Sequence, residues 1–166
     1  RLQTDIAGRV SGWVKDLRFK AEGDEVKKGE LLFTLDSPEL ISAQQDYISA
    51  LKTGVTGRIN AGERRLSSLG IQNSAITTIR KNRKAETYMP FYAESDGVIS
   101  MISIREGTYV KPGMMVMQIQ DYSSVWVEVS IAEQDIPYID DTTKVTVSFP
   151  NLGIQEKPAK IALIMS

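Results

Sequence analysis

The acids Asp24, Glu25, Glu30, Asp36 and Glu39 are the first residues that could do chemistry, because clustered carboxylates can hold a hard cation or serve as general acids. They come without a histidine and without the spaced acidic loop of an EF-hand, so turn and helix-cap roles account for them better. A second candidate is Met114, Met115 and Met117, since thioether sulfur suits soft ions such as Cu(I). On a strand Met115 and Met117 share one face and Met114 faces away, which favours packing over ligation. Met89, Met101 and Met165 are dispersed and read as core or edge residues. The third candidate is the basic run Arg80-Lys81-Asn82-Arg83-Lys84. Nucleic-acid readers pair such charge with aromatics or a recognition helix, whereas Tyr88 and Phe91 follow only after this run has ended. A solvated helical face, or a surface for an acidic partner, is the reading, and no nucleic-acid partner is expected.

The chain of 166 residues has no cysteine and no histidine, which removes disulfides, thiolate metal sites, cysteine nucleophiles and imidazole acid/base chemistry. No catalytic residue, cofactor site or metal site is expected, and no enzyme activity. A net charge of −1 provides little global steering, and no window approaches the run of about 18 apolar residues that spans a bilayer. With no initiator methionine and no apolar leader, the sequence is expected to be the middle of a longer polypeptide.

The elements that would position these residues are announced by a repeat. Gly23-Asp24-Glu25-Val26-Lys27-Lys28-Gly29-Glu30-Leu31-Leu32 is echoed, 84 residues on, by Gly107-Thr108-Tyr109-Val110-Lys111-Pro112-Gly113-Met114-Met115-Val116. Two glycine-bracketed turns, each leading into a strand, predict one small β domain made of two similar halves with a long insertion between them. Gly23, Gly29, Gly107 and Gly113 are read as turns or close approaches, Val26 as the plug of the core, and Val110 as part of the second turn. Lys27, Lys28 and Lys111 flank the turns at corresponding positions and are candidate assembly contacts. Alternation over Val10 to Lys15 and Leu31 to Leu35 supplies the strands of the first half, residues 4–36.

At Asp36-Ser37-Pro38-Glu39 the texture changes, with a cap, a proline and an acid agreeing on a helix start. Leu40, Ile41, Tyr47, Ile48 and Leu51 recur near helical spacing, and the Thr53-Gly54 turn ends that helix. A second helix is predicted from near Arg58 to Gly70 and a third over Asn73 to Ile79. Segments this short are marginal alone, so they should pack on each other as a bundle or bent hairpin over residues 37–87. From Pro38 to Thr87 eight Lys or Arg face four acids, a net of +4, which leaves −5 elsewhere. Arg64 and Arg65 in this basic insert are further candidate assembly contacts.

Strand texture returns over residues 88–121, and a third module is predicted over 122–166. There Val125, Val127, Val129 and Ile131 alternate as a strand, Ala132 to Ile139 form a short helix, and Lys144–Phe149 and Ala159–Ile164 supply two more strands.

The halves resemble those of a biotinyl/lipoyl domain, a flattened β sandwich with quasi-two-fold symmetry. Carriers of that kind present a modified lysine on an exposed hairpin between the halves. Here residues 38–87 occupy that place and offer no such tip. A lipoyl-like sandwich split by a helical hairpin and followed by a partial β-barrel resembles the periplasmic adaptors, or membrane fusion proteins, of RND-type tripartite efflux systems. The likeness rests on Gly23-x-x-Val26-x-x-Gly29-x-x-Leu32 with Asp36-Ser37-Pro38-Glu39, on Ala93-x-x-Asp96-Gly97-Val98-Ile99, on Gly107-x-x-Val110-x-x-Gly113, and on Val125-Trp126-Val127-Glu128. The short three-segment insert with Leu66-x-x-Leu69-Gly70-Ile71 is similar to the heavy-metal (copper/silver) branch. So is the extra residue that makes Gly12 to Gly23 one position longer than Gly97 to Gly107.

This resemblance implies a periplasmic, inner-membrane-associated adaptor. Its partners would be an inner-membrane pump, an outer-membrane channel and other adaptor protomers, and its export cargo heavy-metal cations. Adaptors for drug efflux or type I secretion, and biotin/lipoate carriers, remain the alternatives. In metal-branch relatives Cu(I) or Ag(I) is held by methionines of an N-terminal segment that has no counterpart in these residues.

Overall fold

The computed structural model describes residues 3–19, 21–121, 127, 129–149 and 154–161. Two compact units result, Arg1–Val125 and Trp126–Ser166. In the first, the strands are β1 (Gln3–Ala7), β2 (Gly12–Lys15), β3 (Glu25–Val26), β4 (Leu31–Asp36), β5 (Tyr88–Tyr92), β6 (Gly97–Ile102), β7 (Tyr109–Val110) and β8 (Met115–Gln120). They form two antiparallel four-stranded sheets, ordered β1-β8-β6-β3 (sheet one) and β5-β4-β2-β7 (sheet two). Adding four to each strand of the first half and subtracting four from each strand of the second converts the order of sheet one into that of sheet two. The internal two-fold therefore exchanges the sheets, and each sheet takes two strands from each half.

Hydrogen bonds repeat the symmetry atom by atom. Gly107 N donates to Val14 O and Gly23 N to Ile99 O, both at 2.8 Å. Gly113 N donates to Gly8 O and Gly29 N to Ala93 O, again both at 2.8 Å. The equivalences run at an offset of 85 up to Gly12 and of 84 from Gly23 on, so the extra residue of the first half lies between these glycines. Asp16 in that interval takes a left-handed φ of 46°, and the Glu106 carboxylate accepts the backbone N–H groups of Asp16 and Leu17, each at 2.9 Å.

Gly23, Gly29, Gly107 and Gly113 all have φ between 83° and 94°. A Cβ on any of them would meet nothing within 4 Å, so these four are turns required by backbone conformation and not close approaches. In the sandwich the close approaches fall on Gly12 and Gly97, where a Cβ would strike a carbonyl oxygen of the neighbouring strand, and on Gly8, where it would strike that of Lys111 just after β7. Val26 and Val110 are buried, as are Val14, Leu32, Leu35, Ile99, Met117 and Ile119 between the sheets.

Three helices interrupt the sandwich between β4 and β5: α1 (Pro38–Thr53), α2 (Thr56–Ser68) and α3 (Asn73–Asn82). Ser37 caps α1 by accepting the Leu40 N–H at 3.4 Å, with Pro38 in the first turn, and Gly54 ends it at φ 67°. Helix α2 begins two residues before the expected Arg58, because the chain turns back directly after Gly54. Leu40, Ala43, Tyr47 and Ile48 of α1 meet Leu66 of α2 and Ala75, Ile76 and Ile79 of α3 in one buried cluster.

In the second unit β9 (Val145–Phe149) pairs antiparallel with β10 (Ile154–Ala159), preceded by a 3-10 helix over Glu133–Tyr138. Two expectations need correction. Val127 and Val129–Ile131 are not in a strand, and the strand that pairs with β9 runs over 154–159, so Lys160 and Ile161 of the expected 159–164 strand stand outside it. A strand needs a ladder partner more than it needs an apolar run, and the stretch that follows β9 most closely provides one. Val125, Trp126 and Glu128 of the expected barrel opening, and residues 162–166 with Met165, lie outside the described residues. Among the described residues there is no closed barrel.

Candidate functional site

A helical insert can act as a lever only if its helices are tied to one another and to the sandwich, and polar side chains do both. Tyr47 (α1), Glu63 (α2) and Arg80 (α3) form a triad with one member from each helix. The Tyr47 hydroxyl donates to Glu63 Oε1 at 2.7 Å, Arg80 Nε donates to the Tyr47 oxygen at 3.0 Å, and the Arg80 guanidinium also reaches Glu63 Oε1. The Tyr47 ring is fully buried and lies against Gly62, where a Cβ would come within 2.8 Å of Tyr47 Cδ1. A second, exposed tie joins Arg65 to Asp46 at 2.7 Å. Exposed pairs of that kind contribute little stability.

Burial above all raises the Tyr47 phenol, while the Tyr47 hydroxyl first and Arg80 second hold the Glu63 carboxyl below the ordinary value of 4.5. Hydrogen bonds to Tyr47 and then Glu63 raise Arg80. Because the folded Glu63 titrates below its unfolded counterpart, its contribution is complete above about pH 4.5 and is lost as pH falls through the folded value. In an acid titration followed by far-ultraviolet circular dichroism, Glu63→Gln is expected to flatten the low-pH loss of helix signal seen in the parent chain. Superimposable acid limbs would remove Glu63 from the tie.

The insert is fastened to sheet two at both ends of its edge strand β5. Gln44, fully buried on α1, donates to Glu86 O at 3.1 Å and accepts the Glu86 N–H at 2.7 Å. Gln72, just before α3, donates to Tyr92 O at 2.8 Å and accepts the Tyr92 N–H at 2.9 Å. Each amide thus pairs with one residue's N–H and C=O as a neighbouring strand would. Pro90 between them has no N–H to expose. The edge is thus held just before its start and at its end, and the base of the insert is fixed to it.

The sequence-selected residues fall as follows. Lys27, Lys28, Lys111, Arg64 and Arg65 are exposed, the lysines on the glycine turns and the arginines on α2. Lys28 also donates its backbone N–H to Asp96 at 2.8 Å. Arg80, first of the basic run, is committed to the triad. Of the methionines, Met117 and Met89 are buried in the sandwich, and Met114 and Met115 are half-buried. Among the described residues no three acids, histidines or cysteines come together as a metal cluster, and no helix is long and apolar enough to cross a membrane. Tyr47, Gln44 and Gln72 were not singled out by sequence. Only the helical spacing of Tyr47 marked it, and nothing marks a glutamine for a backbone bond 42 or 20 residues away.

Comparison with known proteins agrees with this architecture. The family pattern described as CusB, barrel-sandwich hybrid domain, matches residues 3–120. SilB of Salmonella typhimurium, by name a membrane fusion protein, is 30% identical over 146 residues, covering 87% of this chain and 34% of SilB. The cation efflux system protein CusB of Escherichia coli K12 is 28% identical over 146 residues, covering 87% of this chain and 36% of CusB. The chain spans about a third of the length of these curated relatives. The crystal structure of ZneB from Cupriavidus metallidurans superimposes with a TM-score of 0.49 at 18% identity, covering 97% of this chain and 77% of that one. With the family pattern running through both halves of the sandwich and the insert between them, the chain belongs to the CusB-type barrel-sandwich hybrid family.

Proposed function

We propose that this chain is the sandwich and hairpin portion of a periplasmic adaptor that joins an inner-membrane RND-type pump to an outer-membrane channel for export of heavy-metal cations of the copper/silver kind. The observation that carries the reading is a tied three-helix insert fixed to the edge of a two-fold sandwich, within a match to the CusB pattern over residues 3–120. The metal assignment is supported by the name of one relative, a cation efflux system protein. In this role the chain does no chemistry. It aligns two membrane machines and passes small rotations between them, while the pump supplies the energy. The insert points to the channel, and the sandwich meets the pump and neighbouring protomers. Lys27, Lys28 and Lys111 on the turns, and Arg64 and Arg65 on α2, form contact points in that assembly.

The test is genetic and uses the whole gene. Its deletion from the source organism should lower tolerance to copper or silver salts. The intact gene should restore tolerance, and a gene lacking residues 38–82 should not. Unchanged metal tolerance with lost drug tolerance or lost secretion of a protein would replace metal export by one of the other adaptor roles. Mass-spectrometric detection of a biotinylated or lipoylated lysine would replace the adaptor reading altogether.

A further inference from the structure

The internal two-fold makes β1 and β5 twins, so Gln3, Asp5 and Ala7 stand on sheet one where Tyr88, Pro90 and Tyr92 stand on sheet two. Both are outer strands. Hydrogen bonds on either side of β8 fix which way β1 turns its polar groups. Val116 O accepts the Ser103 N–H at 3.0 Å from the β6 side, so Met117 and Ile119 serve the other side, where they pair with Ile6 and Thr4. Gly8 N continues that alternation by donating to Met114 O at 2.8 Å. The N–H and C=O groups of Gln3, Asp5 and Ala7 therefore face away from the sheet, and none of the six is bonded among the described residues. On β5 the corresponding edge is blunted, because Gln72 takes both groups of Tyr92 and Pro90 puts a ring where an N–H would be. Neither device is present on β1. Three free donor–acceptor pairs in a row are a template for one more extended strand.

Charge narrows what could pair there. The four strands of sheet one contain two acids, Asp5 and Glu25, and no lysine or arginine. Asp5 is exposed at the middle of the free edge, where the Gln3 side-chain amide donates to it at 2.7 Å. The bases Arg9 and Lys111 lie past the Gly8 end, and Arg9 is turned toward α2, with Nη1 3.5 Å from Ser67 O. A second copy of β1 fits poorly, since the fullest antiparallel pairing of two such edges sets Asp5 opposite Asp5, and like charges directly opposite repel. A base in that place completes an opposite-charge cross-strand pair. Ile6, half-buried against the core, gives apolar residues on either side of the base a neighbour on the inner face.

We propose that the free edge of β1 pairs with an extended segment of another polypeptide that sets a lysine or arginine opposite Asp5 and apolar residues on either side of it. The proposal is independent of the adaptor reading, since it rests on the direction of the backbone groups of β1 and on the charge of sheet one.

The twin strand supplies the test. Asp5→Pro copies Pro90, removes an N–H that the ladder does not use, and places a ring in the path of an added strand. The probe is a fluorescently labelled Val-Thr-Val-Lys-Val-Thr-Val peptide, titrated with the intact chain and followed by anisotropy. Saturable binding is expected for the parent chain, weakened about tenfold or more in Asp5→Pro at an unchanged melting temperature. A peptide N-methylated at its lysine and both threonines lacks the donors that would face β1 and is expected to bind the parent chain about tenfold or more weakly. That arm uses no variant, so it decides the question if Asp5→Pro melts early. Asp5→Lys should in turn prefer the peptide that carries glutamate in place of lysine. The proposal is overturned if the parent chain shows no saturable binding, if a folded Asp5→Pro binds as the parent does, if the N-methylated peptide binds as well as the plain one, or if Asp5→Lys keeps the parent's preference. It is equally overturned if sedimentation shows a dimer that Asp5→Pro abolishes while peptide binding is absent, which would assign the edge to a second copy.

Discussion

Tyr47→Ala is expected to unfold the helical insert and leave the sandwich standing. Removing a fully buried aromatic ring costs about 3–5 kcal/mol, and the loss falls on helices of 16, 13 and 10 residues that are marginal without their shared core. The substitution also takes the hydroxyl away from Glu63 and Arg80 in a partly buried setting. Stability is not uniform across a fold, so the damage should remain in the element that lost its packing. Hydrogen exchange followed by mass spectrometry would show residues 38–82 losing protection while Val14, Ile99 and Ile119 keep theirs. Tyr47→Phe retains the ring and loses only the hydrogen bonds, with an expected cost of about 1–2 kcal/mol. A uniform loss of protection in Tyr47→Ala would mean that insert and sandwich fold as one cooperative unit.

The second large effect belongs to the close-approach glycines. A Cβ on Gly12 would lie 2.6 Å from the backbone oxygen of Asp36 and 3.0 Å from side-chain atoms of Leu35 and Ser37. Its twin Gly97 meets the equivalent oxygen, that of Gln120. Neither neighbour is the flexible end of a long side chain. To relieve the clash, a strand of the ladder must move, which sets the cost of Gly12→Ala or Gly97→Ala at about 3 kcal/mol, the upper part of the range for overpacking. Gly107→Ala provides the contrast, because its Cβ would meet open space and only the left-handed φ of 83° is penalised, at about 1–2 kcal/mol. Urea denaturation of the three variants should therefore rank Gly12→Ala and Gly97→Ala well below Gly107→Ala. The reverse order would show that backbone conformation, not strand approach, sets the tolerance of this sandwich.

These glycines also show how far the sequence could be followed. The repeat at Gly23 and Gly107 revealed the turns, the halves and the core position of Val26, because a left-handed turn leaves a residue type that can be read directly. It did not reveal which glycines stand against a neighbouring chain segment, since Gly8, Gly12 and Gly97 are defined by atoms distant in the chain. The start of α1 was equally legible, because Ser37, Pro38 and Glu39 act within one turn. The second unit was read less well. No apolar run announces β10, whose sequence is polar at Gln155, Glu156 and Lys157, and it is held by pairing with β9.

The sequence by itself determined that this is a two-half β domain interrupted by a basic helical insert, free of cysteine and histidine chemistry, because turns, caps and periodicity are written in neighbouring residues. Tertiary structure alone decided that the two-fold exchanges the sheets, that Tyr47, Glu63 and Arg80 meet, that Gln44 pairs with Glu86 and Gln72 with Tyr92, and that Trp13, Tyr109 and Tyr88 share one exposed face. Each of these depends on register between strands or helices far apart in the chain. Only the folded backbone sets that register.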